Sequence, residues 1–117
     1  MPDPATLLPL PSHDLQVLLT LAESPHHAYG LAKAVEEQEG GVRLEIGSLY
    51  RILARLTTVG VIEDVEVKTA GQGHEARRRT YRLTPFGRSV AQAEVARLQA
   101  VIRLARRRKL APAKSSR

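Results

Sequence analysis

Apolar side chains recur at helical period along most of this chain, and one stretch organises the rest. In residues 46–62, IGSLYRILARLTTVGVI, the residues Leu49, Ile52, Leu53 and Leu56 fall at i, i+3, i+4 and i+7 and form one apolar stripe. The opposite face carries Gly47, Arg51, Ala54, Arg55 and Thr58, with Ser48 and Tyr50 on its flanks. Two cations among small side chains suit a helix lying against a phosphate-lined groove, where bulk would obstruct approach. Taken alone, the same pattern equally describes an amphipathic helix with a solvated back. Gly60 stands where a left-handed helix cap is expected, and Val61-Ile62 begin an extended run.

The flanking patterns predict the partners of this helix. Ser12 is placed to N-cap a first helix over 12–23, with Leu15, Leu18, Leu19 and Ala22 on one face and Val17 and Leu21 widening the stripe; Pro25 stops it. A second helix over 27–38 buries Ala28, Leu31, Ala32 and Val35 and turns Lys33, Glu36 and Glu37 outward. Gly30 within it costs about 1 kcal/mol against alanine unless close approach is needed there, and a tight crossing with the third helix supplies that need. Gly40-Gly41 end the helix, and Val42, Leu44 and Ile46 alternate with Arg43 and Glu45 in a short connector. After Gly60, alternation over 61–67 reads as a strand, TAGQGHEA at 69–76 as a hairpin tip, and RRRTYRL at 77–83 as the return strand. Three helices followed by a hairpin is the order of a helix-turn-helix with a wing.

Thr84-Pro85 then open a long last helix, with threonine as N-cap and proline at the first helical position. Ala91, Val95, Leu98, Ile102 and Ala105 alternate spacings of four and three, a heptad seam with Val90 and Val101 beside it. A three-helix core cannot cover that seam along its whole length, so a second copy is the simplest cover; the alternative is a fold-back onto the first helix within one subunit. The expected fold is mainly α with a small β-hairpin. It comprises an irregular N-terminal arm (1–11), a winged helix-turn-helix domain (12–84), a C-terminal dimerisation helix (85–109) and a basic disordered tail (110–117).

Composition narrows the chemistry. The 117 residues make one domain with a modest core, and without cysteine neither disulfides nor thiolate metal sites are available. His13, His26, His27 and His74 include no i, i+4 pair, so no metal and no cofactor are expected. No serine–histidine–acid order or phosphate-binding glycine loop is present, which argues against an enzyme. No apolar run approaches a membrane span, and the proline-broken, unbasic residues 1–14 do not resemble a signal peptide, so the expected compartment is the cytoplasm. The formal net charge of +6 is uneven: residues 95–117 hold eight basic residues and no acid, so the global pI overstates the case for nucleic acid. The local signal is better, with Lys68, Arg77, Arg78, Arg79 and Arg82 set against Glu75 alone over 68–82.

Three segments, LLTLAESPHHAYGLAKAVEE (18–37), GSLYRILARLTTVGVIE (47–63) and RRTYRLTPFGR (78–88), together resemble the PadR family of transcriptional regulators, in its short form with a single C-terminal dimerisation helix. Leu49-Tyr50, the leucines after them, the Gly60 turn and the block Tyr81-Arg82-Leu83-Thr84-x-x-Gly87 carry the match, which spans about residues 15–105. The resemblance implies a homodimer that represses transcription by binding an inverted-repeat operator in double-stranded DNA, often released by a small molecule or stress signal. Carried over to this chain, it implies DNA contacts by Ser48, Tyr50, Arg51 and Arg55 on the third helix and by Tyr29 and Lys33 on the second. Wing contacts fall on Gly73, His74, Arg77 and Arg78. Dimerisation falls on Leu15, Leu19, Ala91, Val95, Leu98, Val101, Ile102 and Ala105. The chain departs from the family at Glu45, where a small N-capping residue is usual, at Thr80 in place of the first tyrosine of a pair, and at Glu75 in the wing tip.

The individual roles stay open between readings. Arg51 and Arg55 lie one turn apart and can bridge guanine edges, grip phosphate, or pair with a glutamate of the fold. Tyr50 can set its hydroxyl on a phosphate, its ring on a thymine methyl, or close the core. Arg77–Arg79 alternate across a strand, so only some face DNA. His74 can titrate near neutrality or be merely solvated. With no tryptophan, one phenylalanine and three tyrosines, the chain lacks material for the aromatic-lined drug pocket some relatives use. Any effector pocket would be aliphatic, around Leu15, Leu19, Leu98 and Val101, unless those residues simply pack the dimer. Two other readings remain: a winged helix used for protein–protein contact through Glu36, Glu37 and Glu39, and a nonspecific nucleic-acid binder acting through RRRK at 106–109.

Overall fold

The computed structural model describes residues 2–68 and 77–112. Four helices surround one apolar core, and a small sheet closes one side: α1 (Ser12–Glu23), β1 (His26–His27), α2 (Ala28–Glu37), α3 (Ile46–Thr58), β2 (Ile62–Lys68), β3 (Arg77–Leu83) and α4 (Pro85–Arg107). Leu18 and Val17 of α1, Leu31 and Val35 of α2, Leu49 and Leu53 of α3, Val61 and Ile62 at the start of β2, and Val90 of α4 are all fully buried. The apolar stripes read from the sequence therefore meet in one place.

The sheet is larger than the hairpin expected. β2 pairs antiparallel with β3 from Ile62 opposite Leu83 to Lys68 opposite Arg77. On the other edge of β3, His26 and His27 pair with Tyr81 and Thr80, so the sheet has three strands in the order β1-β3-β2. A pairing of only two residues leaves no side-chain period to read.

Helix ends follow local chemistry, with three differences from expectation. Ser12 is the first residue of α1, and Pro11, which offers no side-chain hydrogen bond, occupies the capping position. α2 starts at Ala28 because His27 caps it, its Nδ1 accepting from the Gly30 N–H at 3.3 Å. A Cβ at Gly30 would sit tightly against this capping ring, 3.3 Å from Cε1 of His27, so the close approach here is to the cap. The arm expected to be irregular holds a 3-10 turn, Pro4–Leu7, and packs Leu7, Leu8 and Leu10 onto the core.

The end of α3 and the start of α4 form one unit. Gly60 has φ +84°, and its N–H and that of Val61 donate to the carbonyls of Thr57 and Leu56 at 3.1 and 3.2 Å, a Schellman closure of α3. The Thr84 hydroxyl donates to the Gly60 carbonyl at 2.6 Å and accepts from the Gly87 N–H at 2.9 Å, capping α4 on the same turn. α4 ends in the same way, with Lys109 at φ 63° and Leu110 donating to the Ala105 carbonyl at 2.8 Å.

Candidate nucleic-acid interface

α3 begins at Ile46, preceded by Glu45, whose side chain makes no capping bond. The helix buries Leu49, Ile52, Leu53 and Leu56 and turns outward a face of Gly47, Tyr50, Arg51, Ala54 and Thr58, with Ser48 half-buried at its edge. A Cβ on Gly47 would meet nothing within 4 Å, so the face is open at its N-terminal end. Arg51 donates to the Ser48 hydroxyl at 3.1 Å, which holds both groups at the surface without burying either charge. A cation resting on a neutral hydroxyl can leave it for a phosphate or a guanine edge at little cost.

Arg55 is held differently. Its Nη2 lies 2.7 Å from both carboxylate oxygens of Asp14, and the Asp14 side chain is only 4% exposed. The two arginines expected to address one groove segment are therefore separated: Arg51 faces outward, and Arg55 reaches sideways to α1. The partner is an aspartate rather than a glutamate. Asp14 lies in the first turn of α1, a position common for an exposed acid, and no local signal in the sequence marks it as buried.

The second flank of α3 meets α2 and β3 in a cleft of about 560 Å³ lined by His27, Ala28, Tyr29, Tyr50, Arg79 and Tyr81. All three tyrosines of the chain line this cleft. Tyr29 is 69% and Tyr50 49% exposed, so Tyr50 flanks the cleft rather than closing the core. Tyr81 is buried, and burial pushes its hydroxyl above the ordinary range against the opposing pull of the adjacent Arg79 guanidinium. Arg79 in turn lies 3.2 Å from Asp64, and Arg82 2.7 Å from Glu63, so these two arginines of β3 are partly neutralised by β2. Lys33 is exposed on α2. Gly73 and His74 lie outside the described residues, and Arg77 and Arg78 are described only as backbone positions of β3.

A second exposed surface runs along α1 and α4. Leu19, Val95, Val101 and Ile102 are all more than a third exposed. Leu15, Leu19, Val95, Leu98 and Ile102 line a groove along it, with Arg103 and Arg106 at one end. Ala91 already lies in the core of the chain, while Leu98 and Ala105 are half-buried. Among the described residues there is no cluster of three or more potential metal ligands, and no helix long and apolar enough to cross a membrane.

Known proteins share this arrangement. The structure resembles a PadR family transcription regulator from Clostridium difficile, with a TM-score of 0.72 and 21% identity, covering 83% of this chain and 97% of that one. It also resembles a PadR family regulator from Eggerthella lenta (TM-score 0.59, 25% identity, 73% and 72% covered). Bacillus subtilis PadR, solved in complex with operator DNA, gives a TM-score of 0.63 at 20% identity, with 74% of this chain and 47% of that one covered. A 37.1 kDa uncharacterized protein in transposon TN4556 of Streptomyces fradiae is 40% identical over 78 residues, which are 67% of this chain and only 20% of that protein. The transcriptional regulator PadR-like family matches residues 17–93, from within α1 into α4. The chain belongs to the PadR-like family of transcriptional regulators.

Proposed function

We propose that this chain is a sequence-specific DNA-binding repressor that grips an inverted-repeat operator as a homodimer. The observation that carries the reading is the outward face of α3, where Arg51 and Ser48 stand beside Gly47 and Ala54 with nothing to block a groove wall. Bacillus subtilis PadR, which shares the fold, is solved with operator DNA, and this supports the same partner here. Tyr29, Tyr50 and Arg79 around the neighbouring cleft add hydroxyl and guanidinium donors suited to backbone phosphates, and Lys33 a further cation. Gly73, His74, Arg77 and Arg78 of the wing extend the footprint.

The exposed apolar stripe of α4 supports pairing with a second copy. Each subunit would contribute Leu15, Leu19, Val95, Leu98, Val101, Ile102 and Ala105, a two-fold surface that contacts itself. Two-fold pairing sets the α3 helices to enter successive major grooves about 34 Å apart on one face of B-DNA. A small molecule or stress signal that shifts α4 against its partner would change that separation and release the operator.

The direct test is an electrophoretic shift with fragments of the DNA upstream of the chain's own gene. Wild-type protein should retard a fragment containing an inverted repeat, and Arg51→Ala should lose the complex while remaining dimeric by sedimentation. Retention of the complex by that variant would remove α3 as the reader.

A further inference from the structure

Arg55, on the flank of α3, is tied to a carboxylate of α1 although its side chain stays 53% exposed. Asp14 sits in the first turn of α1, 41 residues before Arg55, with its side chain almost fully buried. The arm covers it: Leu7, Leu10 and Pro11 close a cavity of about 170 Å³ over Asp14, Arg55 and Val59. A carboxylate in that setting is stable only while a cation stays on it. Arg55 is half-exposed and holds Asp14 through Nη2; moving that nitrogen to a base edge would leave the carboxylate buried and unpaired, whereas Arg51 would give up only a hydroxyl.

The same pair constrains the helix. Leu49, Ile52, Leu53 and Leu56 hold α3 against the core by burial, which is non-directional and tolerates some rotation about the helix axis. The Arg55–Asp14 contact is directional, with one nitrogen set 2.7 Å from both oxygens. It fixes the azimuth at which Ser48, Tyr50 and Arg51 leave the surface.

We propose that Asp14, acting through Arg55, is a positioning residue for sequence recognition, and that Arg55 is not itself a reader of DNA. This deepens the operator-binding reading and rests on it. Removing either partner leaves the phosphate contacts in place but lets the reading face turn, so preference falls more than affinity.

The experiment measures binding by fluorescence anisotropy to a selected operator duplex and to a scrambled duplex of equal length, across a salt series. Asp14→Asn and Arg55→Gln should each lower the operator-to-scrambled ratio about tenfold, the scale of one misplaced base contact, and the double variant should fall no further. Scrambled-duplex affinity and its salt slope should stay at the wild-type value for Asp14→Asn. Arg55→Lys, which keeps a cation within reach of the carboxylate and preserves folding, should retain most of the preference. The proposal is overturned if Arg55→Gln loses operator affinity while Asp14→Asn keeps or gains it, or if the two single effects add. It is also overturned if Arg55→Lys behaves like Arg55→Gln while still melting as wild type. Absence of any preference in the wild-type protein would instead reject the operator reading itself, and this inference with it.

Discussion

Gly87 passes directly over the carbonyl of Val61, so closely that any side chain at position 87 would overlap that oxygen. This contact lets α4 leave the sheet at the angle that buries Val90 and Ala91, and it explains the glycine of the Thr84-x-x-Gly87 block as a packing requirement. Gly87→Ala should destabilise the fold by about 3 kcal/mol, the upper end for overpacking a core, with urea denaturation as the readout. Gly47 is the opposite case, since a Cβ there meets open space. Gly47→Ala should leave stability unchanged or raise it by up to about 1 kcal/mol and still weaken operator binding by crowding the groove wall. Equal binding by Gly47→Ala would move Gly47 out of the interface.

Glu94 ties the arm to α4. Its buried carboxylate accepts from Arg97 at 2.7 and 3.0 Å and from the Leu10 N–H at 3.1 Å. Arg97 first, and the Leu10 N–H after it, hold the carboxyl below its ordinary value of 4.5 despite burial. The folded chain therefore binds this proton less readily than the unfolded chain. The contribution is complete above pH 4.5 and is lost as the pH falls through the lower folded value. Glu94→Ala should cost about 1–3 kcal/mol by leaving the Leu10 N–H without its acceptor. Glu94→Gln should flatten the fall of melting temperature on acidification below pH 4.5; an unchanged acid slope would show that another carboxylate dominates it.

The proposed dimer is open to a clean disruption. Val101 and Ile102 are 45% and 43% exposed on α4, well away from the core of the subunit. A charge at either site costs little in a monomer and is severe in a buried seam. Val101→Asp with Ile102→Asp should yield a folded monomer by sedimentation and circular dichroism, with operator affinity reduced at least a hundredfold by loss of the second half-site. A dimer that survives both changes would place the partner elsewhere.

The basic end separates specific from nonspecific attraction. Arg106, Arg107 and Arg108 cluster at the end of α4, where Arg106 donates to the Pro112 carbonyl at 3.1 Å. Deleting residues 106–117 should lower binding to every duplex by a similar factor and leave the operator-to-scrambled ratio intact. Loss of the ratio would make the tail part of the reader. Lys33→Gln should reduce the slope of log affinity against log salt by about 1, as expected for one phosphate contact.

How far the sequence reveals this molecule depends on which forces are local. Helices α1 to α4 were legible because burial imposes a 3.6-residue period, and Gly60 and Thr84-Pro85 mark ends through chemistry confined to a few residues. β1 was not, because His26 and His27 join the sheet through backbone bonds to residues more than fifty positions away. The arm was hidden for a related reason: its prolines break any helical period, yet Leu7, Leu8 and Leu10 still pack against the core. The Asp14–Arg55 and Glu94–Leu10 pairs are tertiary, and in the sequence Asp14 reads as an N-terminal helix acid and Glu94 as a solvated neighbour of the Val95 seam. At the site, the outward placement of Lys33 and Arg51 follows from helical phase alone. The diversion of Arg55 and the meeting of three tyrosines do not.

In the function proposed, the outer face of α3, presented twice by a dimer, reads DNA sequence. Selection of duplexes from a randomised library by the purified chain, followed by sequencing, tests it most directly. Wild-type protein should enrich an inverted repeat with half-site centres about 10 base pairs apart, one turn of B-DNA, and Arg51→Ala as the bait should lose the enrichment. Enrichment of no sequence, or of the same repeat by both proteins, would contradict it.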